Sequence, residues 1–176
     1  MPDGLDWIGL VRRSKPLIAA VNGPAVGIGV TMILPFDVIV ASEAAKFGLV
    51  FVKMGIVPEL ASSHFLISRM GWGKASELML TGRLIDGREA HEYRLADHVV
   101  AHDALMPKAL EIAKAISANP DPMLRMTKDL LTQNACERDM TLAQARETDY
   151  LRACWALPEH KEALSAFLDK RPTRFR

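Results

Sequence analysis

Cysteine is scarce in this chain: Cys136 and Cys154 are the two in 176 residues, and neither sits in a CxxC or other metal-ligand spacing. That speaks against a disulfide framework or a zinc site and for a reduced, cytoplasmic compartment. Net charge is equally slight. Twenty-two Lys and Arg against 21 Asp and Glu leave +1, so no global field draws in nucleic acid or anionic lipid. Basic residues are missing from the start as well, where Asp3 and Asp6 stand, so Met1 to Trp7 read as no targeting segment. Long apolar stretches are broken. The run from Leu17 to Phe36 has the length of a membrane span, but Asn22, three glycines and two prolines divide it into a strand, a turn and a short helix.

What is present suits one soluble α/β domain: 49% hydrophobic and 24% charged residues in a chain long enough to bury a core. Leu5 to Arg13 has amphipathic spacing and is stopped by Lys15-Pro16. "LIAAV" predicts a buried strand, "NGPAVGIG" a glycine turn, and "VTMIL" a short helix ended by Pro35. "DVIVAS" and "AKFGLV" predict two more strands. Beyond "GIVPEL", Phe65, Leu66 and Met70 form one helical set and Ala75, Leu78 and Met79 another, separated by Gly71 and Gly73. Asp86 in "DGRE" can cap a helix, and "ADHVVA" predicts the last strand. Helices are expected over Asp103–Ala118, Asp121–Ala135, Thr141–Ala156 and Pro158–Lys170, two of them with Pro at or near the first position. The chain divides near Asn119 into an α/β core, 1–118, and a helical region, 119–176.

The glycine turn lacks two familiar signatures. Met32 stands where the third glycine of GxGxxG would be, and the Lys-Ser/Thr of a phosphate loop is absent. A strand that feeds a tight turn and a helix start leaves backbone N–H groups around Ile28 and Gly29 pointing outward, which suits a developing oxyanion. Equally, the glycines can serve backbone angles alone. In "GIVPELASS" the single charge is Glu59. Its place after Pro58 suits either a helix-start acid or a base expected to be walled by its apolar neighbours Ile56, Val57, Leu60 and Phe51. Ser62 and Ser63 read as N-capping residues; His64 has no following Asp to orient it as the base of a triad. His98 and His102 span a strand end rather than a helix face, so no metal site is expected.

Four segments in order, "KPLIAAVNGPAVGIGVTMILPFDVIVAS", "FGLVFVKMGIVPELASS", "LTGRLIDGREA" and "AFLDKRP", resemble the crotonase family of enoyl-CoA hydratases and isomerases. The resemblance implies a spiral of β-β-α turns with a C-terminal helical region that packs subunits into trimers or dimers of trimers. It implies an acyl-CoA thioester as substrate, with coenzyme A part of that substrate and no separate cofactor. An enolate would be held by backbone N–H groups, one of them on Ile28 and the other upstream of Met1, so that about a third of a usual family chain is expected to be missing from this one. The two glutamates of the family's hydratases fall on Thr31 and Phe51, whereas "PELASS" is similar to the loop in which peroxisomal-type enoyl-CoA isomerases carry their glutamate, at Glu59. Gly27, Gly29, Thr31, Phe51 and His64 would line the substrate, and Phe167 and Lys170 would meet the adenine end of CoA. The basic tail that holds Lys170 is also explicable as a solvated surface. Tyr93-Arg94 departs from the small-Gly-Leu usual in the family and leaves the turn geometry there open. The expected activity is Δ3,Δ2-enoyl-CoA isomerisation with Glu59 as proton shuttle; the alternatives are 2-enoyl-CoA hydration and a non-catalytic acyl-CoA-binding or assembly subunit.

Overall fold

The computed structural model describes residue 4 and residues 6–175. Helix α1, Trp7–Arg13, starts where the Asp6 carboxylate accepts the Gly9 N–H at 2.8 Å; the expected start at Leu5 lies outside the described residues. Two β-β-α turns follow. The first comprises β1 (Ile18–Val21), β2 (Pro24–Val26) and the four-residue α2 (Ile28–Thr31). The second comprises β3 (Val38–Ser42), β4 (Lys46–Gly48), a 3-10 turn at Val50–Met54 and α3 (Ser62–Thr81). Then come β5 (Leu84–Asp86), α4 (Gly87–Glu92) and β6 (His98–Val100).

Each turn adds one strand to each of two sheets. In the first, β1, β3 and β6 run parallel in that order; in the second, β4 lies between parallel β2 and antiparallel β5. Pleating then sorts the side chains. Ile39 and Ala41 face a core that also holds Leu34, Phe47, Leu66 and Ile85, while Val40 between them packs with Leu105 and Ala109 of α5, Leu105–Ser117. Ala25, Phe47 and Ile85 stand opposite one another across the second sheet and carry its buried row.

Three elements were not expected. β2 and β5 are three residues each and lie among glycines and charges, too short to show an apolar period, and the 3-10 turn holds the end of the expected "AKFGLV" strand. The Asp86 cap is present: its carboxylate accepts the Glu89 N–H at 2.9 Å, which holds Asp86 below the usual carboxylate range. Helix α3 is interrupted at Gly71 (φ 76°, ψ 166°), between its two predicted apolar sets. Arg94 adopts the left-handed conformation (φ 64°) in the turn that ends α4, so that turn is made without glycine.

The chain separates into two compact units, the first ending at Ala113 and the second beginning at Lys114. The second unit holds the end of α5 and α6 (Asp121–Asn134), α7 (Met140–Trp155) and α8 (Pro158–Leu168), with Pro122 and Pro158 in the first turns of α6 and α8. Tyr150 O–H donates to Asp129, and Arg146 donates to Asn134 at 3.1 Å, which joins α6 to α7. Among the described residues neither cysteine forms a disulfide. Among the described residues no helix is long and apolar enough to cross a membrane.

Candidate active site

Glu59 lies on irregular backbone between the 3-10 turn and α3. Gly55 (φ 70°) ends the former, and Leu60 (φ 56°) and Ala61 (φ 53°), both left-handed, precede the latter. The Ser62 N–H donates to the Glu59 carbonyl at 3.1 Å and closes the turn. Serine does not cap this helix. Ala61 occupies the N-cap position, Ser62 is already helical, and its buried hydroxyl has no hydrogen-bond partner among the described residues. The signal fails because an N-cap side chain must precede the first helical residue, and the left-handed pair carries the chain past that point. Glu59 is no helix-start acid either, since the first turn of α3 contains none.

The Glu59 side chain turns instead to α2. The hydroxyl of Thr31 donates to its Oε1 at 2.5 Å, while Oε2 is buried and has no hydrogen-bond partner among the described residues. Thr31 is fully buried and Glu59 half-buried. A carboxylate with one oxygen tethered and the other buried and unpaired can accept a proton at a defined atom. The four residues expected to wall Glu59 differ in burial. Phe51 is 7% exposed and belongs to the core, and Leu60 is half-buried, but Ile56 (58% exposed) and Val57 (80%) face outward. Their backbone is irregular, so alternation has no hold on them.

Thr31 also ties Glu59 to the glycine turn. Gly27 (φ 57°) places Ile28 at the first position of α2, and the Thr31 Oγ1 lies 3.4 Å from the Ile28 carbonyl one turn earlier. The first amides of a helix, here those of Ile28 and Gly29, have no intrahelical acceptor. Gly29 has nothing within 4 Å of where a side chain would begin among the described residues. His64 is exposed on the first turn of α3, its ring edge on Phe65 at 5.4 Å between centroids. Phe167 (80% exposed) and Lys170 (φ 50°) belong to the second unit, where the Lys170 N–H donates to the Phe167 carbonyl at 3.2 Å. Among the described residues no three metal-ligating side chains converge.

A family profile described as Enoyl-CoA hydratase/isomerase matches residues 4–176. The chain belongs to that family. It is 34% identical over 170 residues to the 2,3-dehydroadipyl-CoA hydratase of Escherichia coli K12, covering 97% of this chain and 66% of the relative. It is 36% identical over 163 residues to the enoyl-CoA hydratase ACTT3 of Alternaria alternata, covering 92% and 54%. The crystal structure of enoyl-CoA hydratase from Bacillus anthracis superposes with a TM-score of 0.91 at 32% identity, covering 96% of this chain and 65% of that one. The chain thus spans between about half and two thirds of the length of these relatives. The crotonase fold expected from the four segments is the fold observed.

Within this enoyl-CoA hydratase/isomerase scaffold, the structure brings together Gly27, Ile28, Gly29, Thr31 and Glu59, all on α2 or packed against it. The Thr31–Glu59 contact was missed in the sequence. The two residues lie 28 positions apart, and no periodicity joins a buried helical threonine to a carboxylate on an irregular loop.

Proposed function

We propose that this protein acts on acyl-CoA thioesters and isomerises Δ3-enoyl-CoA to Δ2-enoyl-CoA, with Glu59 as the proton shuttle. The observation that carries the reading is the half-buried Glu59 carboxylate with its buried, unpaired Oε2, alongside Thr31 and Phe51 at the two positions where the family's hydratases keep acids. In the reaction, Glu59 Oε2 takes a proton from C2 of the thioester. The C2 electron pair delocalises through the C3–C4 double bond and the thioester carbonyl to give a dienolate. The carbonyl oxygen then bears the negative charge, and the Ile28 N–H is the donor we assign to it. Glu59 returns the same proton to C4, and the double bond comes to lie between C2 and C3. One carboxylate suffices, and no atom is lost or gained. Gly27 and Gly29 let the thioester approach that donor, Phe51 supplies part of the apolar floor, and His64 flanks the entry. Phe167 and Lys170 are assigned to the adenine end of CoA, and a trimer-based assembly belongs to the same proposal.

A second reading, hydration of 2-enoyl-CoA, is favoured by the printed names of the relatives. Measuring both reactions side by side, wild type and Glu59→Gln, separates the two. The isomerase reading expects 3-enoyl-CoA conversion well above hydration, and a loss of about 10²- to 10⁴-fold in the variant. Faster hydration transfers the assignment to the second reading. Equal rates for wild type and Glu59→Gln remove Glu59 from the mechanism, and CoA-ester binding with neither turnover leaves a binding subunit.

A further inference from the structure

We infer that Thr31 is a positioning residue for the Glu59 carboxylate: its hydroxyl fixes Oε1 so that Oε2 alone carries the proton, and sets that oxygen relative to the Ile28 N–H. The inference rests on the shuttle reading of Glu59 and extends it to a residue with no acid–base chemistry of its own.

Three observations carry it. Glu59 stands on no helix or strand, and its side chain has three rotatable bonds, so its backbone alone does not fix where the carboxylate points. Among the described residues, Thr31 Oγ1 is its one hydrogen-bond partner, at 2.5 Å. Thr31 is itself immobilised: it is fully buried, and it sits in the same helical turn as Ile28, whose carbonyl is 3.4 Å from the same hydroxyl oxygen. A threonine in a helix has few rotamers, so the donor is held before the carboxylate arrives.

The chemistry follows from the donor count. A hydroxyl has one hydrogen, and here it is given to Oε1. Whether Glu59 is ionised or carries a proton on Oε2, Oε1 remains an acceptor, so the Thr31 bond persists through the whole proton transfer. The two carboxylate oxygens are therefore not equivalent. Removal of a proton at C2 and its return at C4 need one oxygen to reach both carbons, and a carboxylate free to rotate would present the proton to either or neither. Because Ile28 and Thr31 share one turn of α2, the same contact fixes the base against the group assigned to the enolate oxygen.

The test compares Thr31→Val, nearly the same shape without the donor, with Thr31→Ser, which keeps the donor. The expected result for valine is a fall in kcat of about 10- to 100-fold with KM within about twofold of wild type. Serine recovers kcat to within about threefold of wild type. Valine with wild-type kcat, or serine as impaired as valine, overturns the inference. If valine does not fold, Thr31→Ala takes its place in the comparison with serine. The carboxyl carbon resonance of Glu59, followed by NMR without substrate, gives a readout that turnover does not enter. It shifts in Thr31→Val and not in Thr31→Ser if the tether is real, and stays put in both if it is not. Full activity of Glu59→Gln together with a shifted resonance in Thr31→Val would end the shuttle reading while leaving the tether in place. An inactive Glu59→Gln with a fully active Thr31→Val does the reverse.

Discussion

Arg69 and Asp97 meet at 3.3 Å, and around that pair three segments of the first unit are tied together. Arg69 projects from α3 and donates to the Leu34 carbonyl at 3.2 Å and the Phe36 carbonyl at 2.7 Å, both just after α2. Asp97 also accepts the Ile39 N–H at 2.7 Å at the start of β3. One guanidinium thus fixes the helix that follows Glu59 to the chain that follows Thr31. Arg69→Met, which keeps the aliphatic stem, leaves two carbonyls and a carboxylate short of a charged donor. The expected loss is about 2–3 kcal/mol in denaturant unfolding, with Arg69→Lys recovering less than half because a lysine cannot reach in three directions at once. A change below about 0.5 kcal/mol would contradict the clamp.

Gly87 at the start of α4 is predicted to tolerate no side chain. A Cβ there would lie 2.1 Å from the Ser42 carbonyl oxygen, which is backbone at the end of β3 and has no rotamer with which to yield. Gly87→Ala is expected to cost about 3 kcal/mol or more, or to prevent soluble expression. A melting temperature equal to wild type would show that α4 and β3 move apart freely.

Arg94 offers the opposite case. Its left-handed φ of 64° costs a side-chain-bearing residue about 1–2 kcal/mol, part of which glycine returns as greater freedom in the unfolded chain. Arg94→Gly is expected to stabilise by about 0.5–1 kcal/mol, seen as a raised melting temperature. The Arg94 N–H bond to the His91 carbonyl at 2.9 Å is backbone and survives the change. A lowered melting temperature would mean that the arginine side chain contributes more than its backbone loses.

The legible and illegible parts of this fold differ in physical kind. β1 and β3 announce themselves because continuous apolar, β-branched runs are what a buried parallel sheet requires. β2 and β5 do not, because three residues pinned between glycines and charges take their conformation from the strand beside them. In the candidate site, Glu59 stands out as a lone charge in an apolar stretch, and Gly27 as the residue a sharp turn needs. Thr31 was legible only by what it replaces in the family pattern; its bond to Glu59 exists only once the second β-β-α turn has closed over the first. The serines after Glu59 misled for a local reason, the left-handed Leu60–Ala61 pair, which no residue preference foretells.

In the second unit, pH acts through Glu162. Arg171 grips it bidentately at 2.7 and 3.0 Å, and the Arg174 N–H adds a bond at 2.8 Å, so that its carboxyl is lowered to about 2. A carboxyl depressed in the folded state stabilises fully above its unfolded value, and that contribution fades as the pH falls from there towards about 2. Melting temperatures recorded from neutral pH into this acid window should therefore drop more steeply for wild type than for Glu162→Gln. Parallel curves would mean that the bidentate grip does not persist in solution.

The two left-handed residues between Glu59 and Ser62 have a consequence for how this protein can be improved. Glycine at both positions would relax the left-handed backbone, at the cost of the half-buried Leu60 side chain. Yet the same substitutions would loosen the segment that carries the acid, so the sturdier variant is expected to be the slower one. On the proposed shuttle role of Glu59, Leu60 and Ala61 mark the spot where durability and turnover pull in opposite directions, and a stability screen blind to activity would choose wrongly there.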